Sequence, residues 1–173
     1  SSRARRLGGT DALLIICITL LALSLRLVGI EAQGLWHDEL YTLGNLAGFN
    51  LYLFPGSDLG VNEPLRPAGH YVNRLNQDLF WQNIIRNIVH EGHPPLYIFL
   101  LKVWTFFTGA SPSMIKLFSV MTSTIAVPLM FLSGKQLGCR KVAIIAAILL
   151  ATSPFQVYFS TEARSYGLLT MLA

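Results

Sequence analysis

The sequence feature that most constrains the fold is a series of apolar runs long enough to cross a lipid bilayer. The hydrocarbon core is about 30 Å thick and needs roughly 20 residues of α-helix. Apolar runs of this size occupy residues 12–30, 114–133 and 142–159, and residues 166–173 form the beginning of another. Only 13% of the residues are charged, against about 25% in soluble domains, which excludes the soluble, disordered and fibrous classes. The sequence therefore predicts an all-α integral membrane protein with about three complete spans and a truncated fourth, and we expect the chain to be a piece of a longer one.

A shorter apolar run, 94–108, is interpreted differently. It opens with two prolines, contains Lys102 and is shorter than a spanning helix, which favours a re-entrant or interfacial helix. The basic residues support this interpretation, because cytoplasmic loops carry the excess of lysine and arginine. If residues 94–108 do not cross, these basic residues fall on one side of the membrane: Arg3, Arg5, Arg6, Lys135, Arg140 and Lys141. We therefore expect a cytoplasmic N-terminus and a cytoplasmic loop at 134–141, with residues 31–93 and 160–165 on the outer face.

The first outer loop, residues 31–93, is too long for a simple connection. Within it, residues 78–90 repeat apolar side chains at the spacing of an amphipathic helix, and Trp81 suits the headgroup zone of the membrane. We expect this helix to lie on the outer membrane surface. The chain has a formal net charge of +4, but its basic residues are scattered rather than gathered on one face, so we expect no nucleic-acid partner.

Two acidic residues stand side by side just beyond the first span, in the segment Leu35-Trp36-His37-Asp38-Glu39-Leu40-Tyr41. Carboxylates at the membrane surface are costly to place, and this favours a functional site that contains Asp38 and Glu39. A structural interpretation is also open, in which both side chains cap a helix that begins near Leu40.

Two further polar clusters are predicted on the same face. One surrounds His93 and precedes two prolines, a pattern that also fits an ordinary helix start. The other contains Glu162 and Arg164, which form either a weak interfacial ion pair or a carboxylate and a cation that face an anionic ligand. Arg26, near the outer end of the first span, either extends to the lipid headgroups or binds a phosphate.

The order of these motifs is more specific than any one of them. The sequence contains, in turn, Leu25-Arg26-Leu27, Trp36-x-Asp38-Glu39-x-Tyr41, His93-Pro94-Pro95-Leu96-Tyr97, a basic loop and Glu162-Ala163-Arg164-Ser165-Tyr166. This order resembles the GT-C glycosyltransferases, and among them the bacterial relatives of the protein O-mannosyltransferases and of the lipid A aminoarabinose transferases. The resemblance extends over the whole chain and corresponds to the N-terminal part of such an enzyme's multi-span helical module.

The resemblance implies a membrane enzyme that uses a polyprenyl-phosphate sugar on the extracytoplasmic side of a bacterial cytoplasmic membrane. Members of the family carry an essential acidic residue in the first outer loop, which Asp38 matches here, and Glu39 follows it in the motif. A second acidic residue, in the family's second outer loop, is matched by Glu162, with Arg164 beside it. His93 stands where the aminoarabinose transferases have a lysine.

The implied chemistry is an inverting displacement at the anomeric carbon of the donor sugar. Asp38 is the candidate base for the acceptor hydroxyl, and the departing lipid phosphate needs cations. The candidate phosphate ligands are Arg26, His93 and Arg164. A divalent metal, Mg²⁺ or Mn²⁺, held by Asp38 and Glu162 is one alternative; in the other, the site works without a metal.

The resemblance leaves the acceptor open as a protein, a lipid or a glycan. A second class of function is also open, a non-catalytic membrane scaffold or accessory subunit that keeps the N-terminal module and binds partner subunits in a membrane complex. A polyprenol flippase or transporter would predict inverted repeats, and the sequence contains none.

Overall fold

The computed structural model describes residues 8–28, 30, 35, 39, 42–43, 46, 94–137 and 139–173. The predicted amphipathic helix at 78–90 and the predicted site residues Asp38 and His93 lie outside these ranges. Within them the chain is helical and contains no β-strand. The helices are α1 (Gly9–Val28), α2 (Pro95–Thr108), α3 (Pro112–Gln136), α4 (Arg140–Thr152), α5 (Pro154–Ser160) and α6 (Tyr166–Leu172).

Two of these helices are long and apolar enough to cross a membrane, α1 with 20 residues and α3 with 25. Together, α4 and α5 pass the same test as a pair bent by 54°, which raises the number of candidate spans to three. The prediction of an all-helical membrane protein is therefore confirmed, with two or three candidate spans in the described part of the chain.

The first two spans differ from their predicted limits because polar residues are included in the helices. The predicted 12–30 is the helix Gly9–Val28, which begins early enough to contain Asp11. The predicted 114–133 is longer at both ends, Pro112–Gln136. Proline is well suited to the first turn of a helix, where its missing amide would have no helical partner, and at the other end Lys135 contacts the Asp11 carboxylate.

The predicted third span, 142–159, is interrupted near its end. Pro154 has no N–H, and its ring clashes with the carbonyl four residues earlier, so a regular helix cannot continue through it unchanged. Helix α4 ends at Thr152, and α5 begins at Pro154 in a direction 54° away. The Ser153 Oγ accepts a hydrogen bond from the Gln156 amide (3.5 Å) and caps the new helix. The break lies at this proline and at the hydrogen bond that its missing N–H removes.

The chain folds as two compact units, Ser1–Ala32 with Lys116–Ala173, and Gln33–Ile115. The first unit has a core of small and large apolar side chains from α1, α3 and α4: Ile18, Ala22, Val127, Phe131, Ala143, Ala147 and Ala151. Small residues allow helices to approach closely where lipid removes the hydrophobic drive for association. At Gly134, an added Cβ would lie 2.9 Å from the Ala143 Cα, so the backbones of α3 and α4 are in close contact there.

Large apolar side chains on α1 face outward, among them Leu13, Ile16, Leu20 and Val28. A soluble monomer rarely exposes a continuous apolar face of this kind. The same face is what a helix in contact with lipid hydrocarbon requires, in agreement with the length and composition of α1.

In the second unit, α2 buries one face through Tyr97, Ile98, Leu101 and Thr105. The helix has 14 residues and is therefore about 21 Å long, less than the bilayer core. It ends at Gly109, whose φ of 81° lies in the region that favours glycine. The Trp104 Nε1 donates to the Met114 carbonyl (2.8 Å) and joins α2 to the start of α3. The re-entrant or interfacial interpretation of this segment remains a prediction.

Candidate functional site

Arg26 lies in the last turn of α1, and its side chain is 0% exposed. The Nε donates to the Ser123 Oγ (3.0 Å), and Nη1 donates to the carbonyls of Ala22 (3.0 Å) and Ala151 (3.1 Å). The Nη2 donates to the carbonyl of Leu150 (3.2 Å). The expectation that Arg26 extends to the lipid headgroups is therefore wrong: the guanidinium points into the first unit and contacts α3 and α4.

The acceptors of Arg26 on α4 are carbonyls that the helix break leaves without helical partners. In an α-helix the carbonyl of Leu150 would accept from the amide of residue 154, and Pro154 has none. Ala151 lies in the same last turn, where carbonyls need partners outside the helix. The C-terminal end of a helix also carries partial negative charge. The end of α4 thus supplies both hydrogen-bond acceptors and electrostatic compensation for a buried guanidinium.

One face of α3 carries a polar patch, which we define as Ser119, Thr122 and Ser123. All three are buried, and Ser119 and Ser123 are four residues apart, hence about 6 Å along the helix. Ser123 accepts from Arg26, and the Ser119 Oγ donates to the Arg164 carbonyl (3.2 Å). The polar patch therefore holds the end of α1 and the segment after α5 one helical turn apart.

The segment 161–165 carries Glu162 and Arg164 and is tied down by short-range hydrogen bonds. The Ser160 and Thr161 hydroxyls donate back to carbonyls of α5 (2.7 and 2.8 Å), and the Arg164 amide donates to the Glu162 carbonyl (2.8 Å). Glu162 is 6% exposed. Its carboxylate is held in the interior of the unit rather than on an exposed loop.

Helix α6 packs against the same polar patch through Gly167. A Cβ added there would lie 2.6 Å from the Ser119 carbonyl oxygen and 2.8 Å from the Thr122 Oγ1. Only glycine allows this approach without a shift of the backbone. The segment with Glu162 is thus fixed at its start by α5 and at its end by the contact between α6 and α3.

A buried lysine adds to this region. Lys116 is buried and lies three residues before Ser119, on the face of α3 that contains the polar patch. The polar end of the first unit, which we define as Arg26, Lys116, the polar patch, Glu162 and Arg164, thus holds three cationic side chains and one carboxylate among the described residues. This set suits an anionic group beside a carboxylate that can accept or donate a proton.

The opposite end of the first unit holds a different cluster, the basic end, defined as Asp11, Lys135 and Arg140. The two carboxylate oxygens of Asp11 contact the Lys135 Nζ and the Arg140 Nε, each at 2.6 Å. The start of α1 and the turn between α3 and α4 therefore lie at the same end of the unit. This is the placement that a shared cytoplasmic side for the N-terminus and residues 134–141 requires.

In the second unit, Glu39 is buried and helical, as are Thr42, Leu43 and Leu46. Their spacing is that of one buried helix face. This places the Glu39 carboxylate in the interior. Leu40 lies outside the described residues, so the predicted helix start there stays a prediction.

The predicted metal site is not assembled from the described residues alone. In the part of the chain that the structure describes, no three histidine, cysteine, aspartate or glutamate side chains lie together in an arrangement that could hold a metal ion. The predicted pair of Asp38 and Glu162 includes a residue outside that part, so it stays a prediction.

Sequence reasoning missed the partners of Arg26. The contact with Ala151 joins positions 125 residues apart, and no local pattern reveals such a pair. Pro154 was the available signal, since it leaves a carbonyl without a donor inside an apolar helix. Ser119, Ser123 and Lys116 were passed over because a few polar residues in an apolar run do not show which helix they face.

The sequence matches no known protein family, and neither a curated protein nor a solved structure shows significant similarity to it.

Proposed function

We propose that this chain is the N-terminal part of a GT-C membrane glycosyltransferase that takes a sugar from a polyprenyl-phosphate donor. The order of the sequence motifs supports the family, and the polar end of the first unit supports the chemistry. The observation that carries the proposal is the burial of Glu162 in the same end of the unit as two buried cations, Arg26 and Lys116, and a partly buried Arg164, opposite the basic end.

In the proposed reaction, an acceptor hydroxyl attacks the anomeric carbon of the donor sugar. Asp38 takes the proton of that hydroxyl as the new C–O bond forms and the bond from carbon to the lipid-phosphate oxygen breaks, with inversion. The negative charge on the departing phosphate needs cations. Arg164, Lys116 and His93 are the candidates, with Glu39 and Glu162 as the further carboxylates of the site.

The contribution of Arg26 to phosphate binding is narrower in this proposal. A guanidinium has five N–H donors, and four of them are used within the protein. With respect to the described residues, one N–H is left for a ligand, and Arg164 and Lys116 are further candidates for the proposed phosphate contact.

The proposed topology puts the basic end in the cytoplasm and the polar end on the extracytoplasmic face of a bacterial cytoplasmic membrane. Lysine and arginine are concentrated in cytoplasmic loops, and Lys135 and Arg140 lie at the end where α1 begins. A divalent metal at Asp38 and Glu162 remains one form of the proposal, because oxygen ligands suit Mg²⁺ and Mn²⁺.

The test compares carboxylates at the two ends of the first unit in the full-length protein. Asp38→Asn and Glu162→Gln each remove a proposed site carboxylate, and Asp11→Asn is the matched control at the basic end. With radiolabelled polyprenyl-phosphate mannose and aminoarabinose as donors, we expect the two site variants to lower transfer into membrane acceptors by about 10²-fold or more. The control should keep its turnover while its melting temperature falls.

Wild-type turnover in Asp38→Asn would contradict the assignment of the base. A folded, membrane-inserted wild-type protein that transfers neither sugar would favour the non-catalytic scaffold instead.

A further inference from the structure

The charge of Arg26 is buried beside neutral hydrogen-bond acceptors. The guanidinium is fully buried, and all of its acceptors are neutral: one hydroxyl and three backbone carbonyls. In the described part of the chain no acidic side chain forms an ion pair with it. Burying an arginine in an apolar helix bundle is costly. We therefore ask whether its neutral acceptors would otherwise lack a hydrogen-bond donor.

The carbonyl of Leu150 lacks a donor within the helix, because the residue four positions later is Pro154, which has no N–H. In a membrane-spanning segment no water satisfies a free backbone carbonyl. The Nη2 of Arg26 lies where the missing amide would have donated, and Nη1 satisfies the next carbonyl, that of Ala151. A single side chain from α1 thus supplies the donors that the end of α4 has lost.

A second proline in the same unit shows that proline alone does not produce the break. Pro128 lies inside α3, and α3 continues through it to Gln136. At Pro154 the helix changes direction by 54° and a new helix begins. The hydrogen bonds from Arg26 are made to the carbonyls that precede Pro154, where the helix is interrupted.

We propose that Arg26 is a positioning residue that takes the place of the amide absent at Pro154 and thereby fixes the bend between α4 and α5. The bend sets the direction of α5, and α5 ends one residue before the segment that carries Glu162. Arg26 therefore positions the segment that carries this carboxylate, which contacts the polar patch of α3 through the Arg164 carbonyl. The last step, an effect on sugar transfer, rests on the proposed function; the cap on α4 does not.

The experiment is a double-substitution cycle in the full-length protein, with two readouts. Arg26→Met keeps the length of the side chain and removes every donor, Pro154→Ala restores the amide, and the double variant combines them. Pro128→Ala, alone and with Arg26→Met, is the matched control. Amide hydrogen exchange of residues 155–160 reports the order of α5, and sugar transfer reports the placement of Glu162.

We expect Arg26→Met to speed amide exchange in α5 by about tenfold or more. A tenfold change corresponds to a loss of about 1.4 kcal/mol in the free energy of local opening. In the double variant, the restored amide satisfies the Leu150 carbonyl and brings exchange back toward the wild-type rate. Transfer stays low there, because a helix that continues through residue 154 no longer has the bend. Arg26→Lys, which keeps a cationic donor, should recover part of both readouts.

Two results would overturn the proposal separately. If Pro154→Ala changes the exchange rate by the same factor in Arg26→Met as in the wild-type protein, then Arg26 does not cap the break. The same holds if Pro128→Ala rescues Arg26→Met as well as Pro154→Ala does. If the double variant transfers sugar at the wild-type rate, the bend does not position Glu162. A wild-type protein without transfer activity would refute the proposed function, and amide exchange would still decide for or against the cap.

Discussion

At one end of the first unit the carboxylate of Asp11 contacts two cations. At the other end the guanidinium of Arg26 donates, among the described residues, to a hydroxyl and three carbonyls. If Lys141, which follows Arg140 in the sequence, is counted with the basic end, each end contains three cationic side chains and one carboxylate among the described residues. The two ends therefore have the same formal charges and use them differently.

The difference follows from what each carboxylate does. Asp11 is the direct partner of two cations, and its position joins the start of α1 to the turn between α3 and α4. Glu162 is not the counterion of Arg26, because the end of α4 compensates that charge. A buried carboxylate in a short segment between two helices is suited to a role in chemistry. This contrast is why we assign function to the polar end and structure to the basic end.

The largest expected effect is an all-or-none labelling pattern that tests whether the ends lie on opposite sides of the membrane. The native Cys139 is exposed beside Arg140, and Ser113 is exposed at the other end of α3. In intact cells an impermeant maleimide should label Ser113→Cys in a Cys139→Ser background and leave Cys139 unlabelled until the membrane is opened. The exposed Cys17, in the middle of α1, should stay unlabelled in both cases because lipid surrounds it.

The opposite pattern, with Cys139 labelled from outside and position 113 protected, would invert the proposed topology. Labelling of both positions from one side would show that α3 does not cross the membrane.

A second comparison uses the two glycines at which helices touch closely, one near each end. A Cβ at Gly167 would lie 2.6 Å from the Ser119 carbonyl oxygen, and one at Gly134 would lie 2.9 Å from the Ala143 Cα. Both contacts involve backbone atoms, so we expect each alanine substitution to destabilise the protein by about 1–3 kcal/mol. Thermal unfolding in detergent measures this loss.

Sugar transfer should separate the two glycine variants. Gly167→Ala displaces α6 and the segment with Glu162 from the polar patch, so transfer falls by more than the loss of folded protein explains. Gly134→Ala disturbs only the basic end, and the specific activity of its folded fraction should be unchanged. Equal losses of specific activity in both variants would remove the functional distinction between the ends.

The sequence predicts much of the helical scaffold and little of the polar contacts. Apolar runs locate α1, α3 and the pair formed by α4 and α5 to within a few residues, because a helix in lipid must be apolar over its whole length. The end of α3 is misplaced because Lys135 extends the helix to reach Asp11, a contact between positions 124 residues apart. Long-range partners of this kind determine where a helix stops and leave no local pattern.

The candidate site shows the same limit. Glu162 and Arg164 were identified from their motif, and the structure places both in a segment held against α3. The headgroup interpretation of Arg26 is wrong, although a cation near a helix end usually extends toward water, because Pro154 creates hydrogen-bond acceptors in the interior. Phosphate binding by Arg26 stays a prediction. The proline and the arginine were each visible in the sequence, but their pairing was not.

The smallest expected effect concerns the ionic part of the contrast. The Arg140 side chain is 53% exposed, so its contact with Asp11 is screened by salt, and Arg140→Gln should lower the free energy of unfolding by no more than about 1 kcal/mol. Raising the salt concentration from about 50 to about 500 mM should destabilise the wild-type protein slightly, and Arg140→Gln should reduce that sensitivity. Arg26→Lys should leave the salt sensitivity unchanged, because a buried cation beside neutral acceptors is poorly screened. A loss of salt sensitivity in Arg26→Lys, with none in Arg140→Gln, would contradict the contrast between the two ends. It would mean that the screened ionic interaction lies at the polar end and not at the basic end.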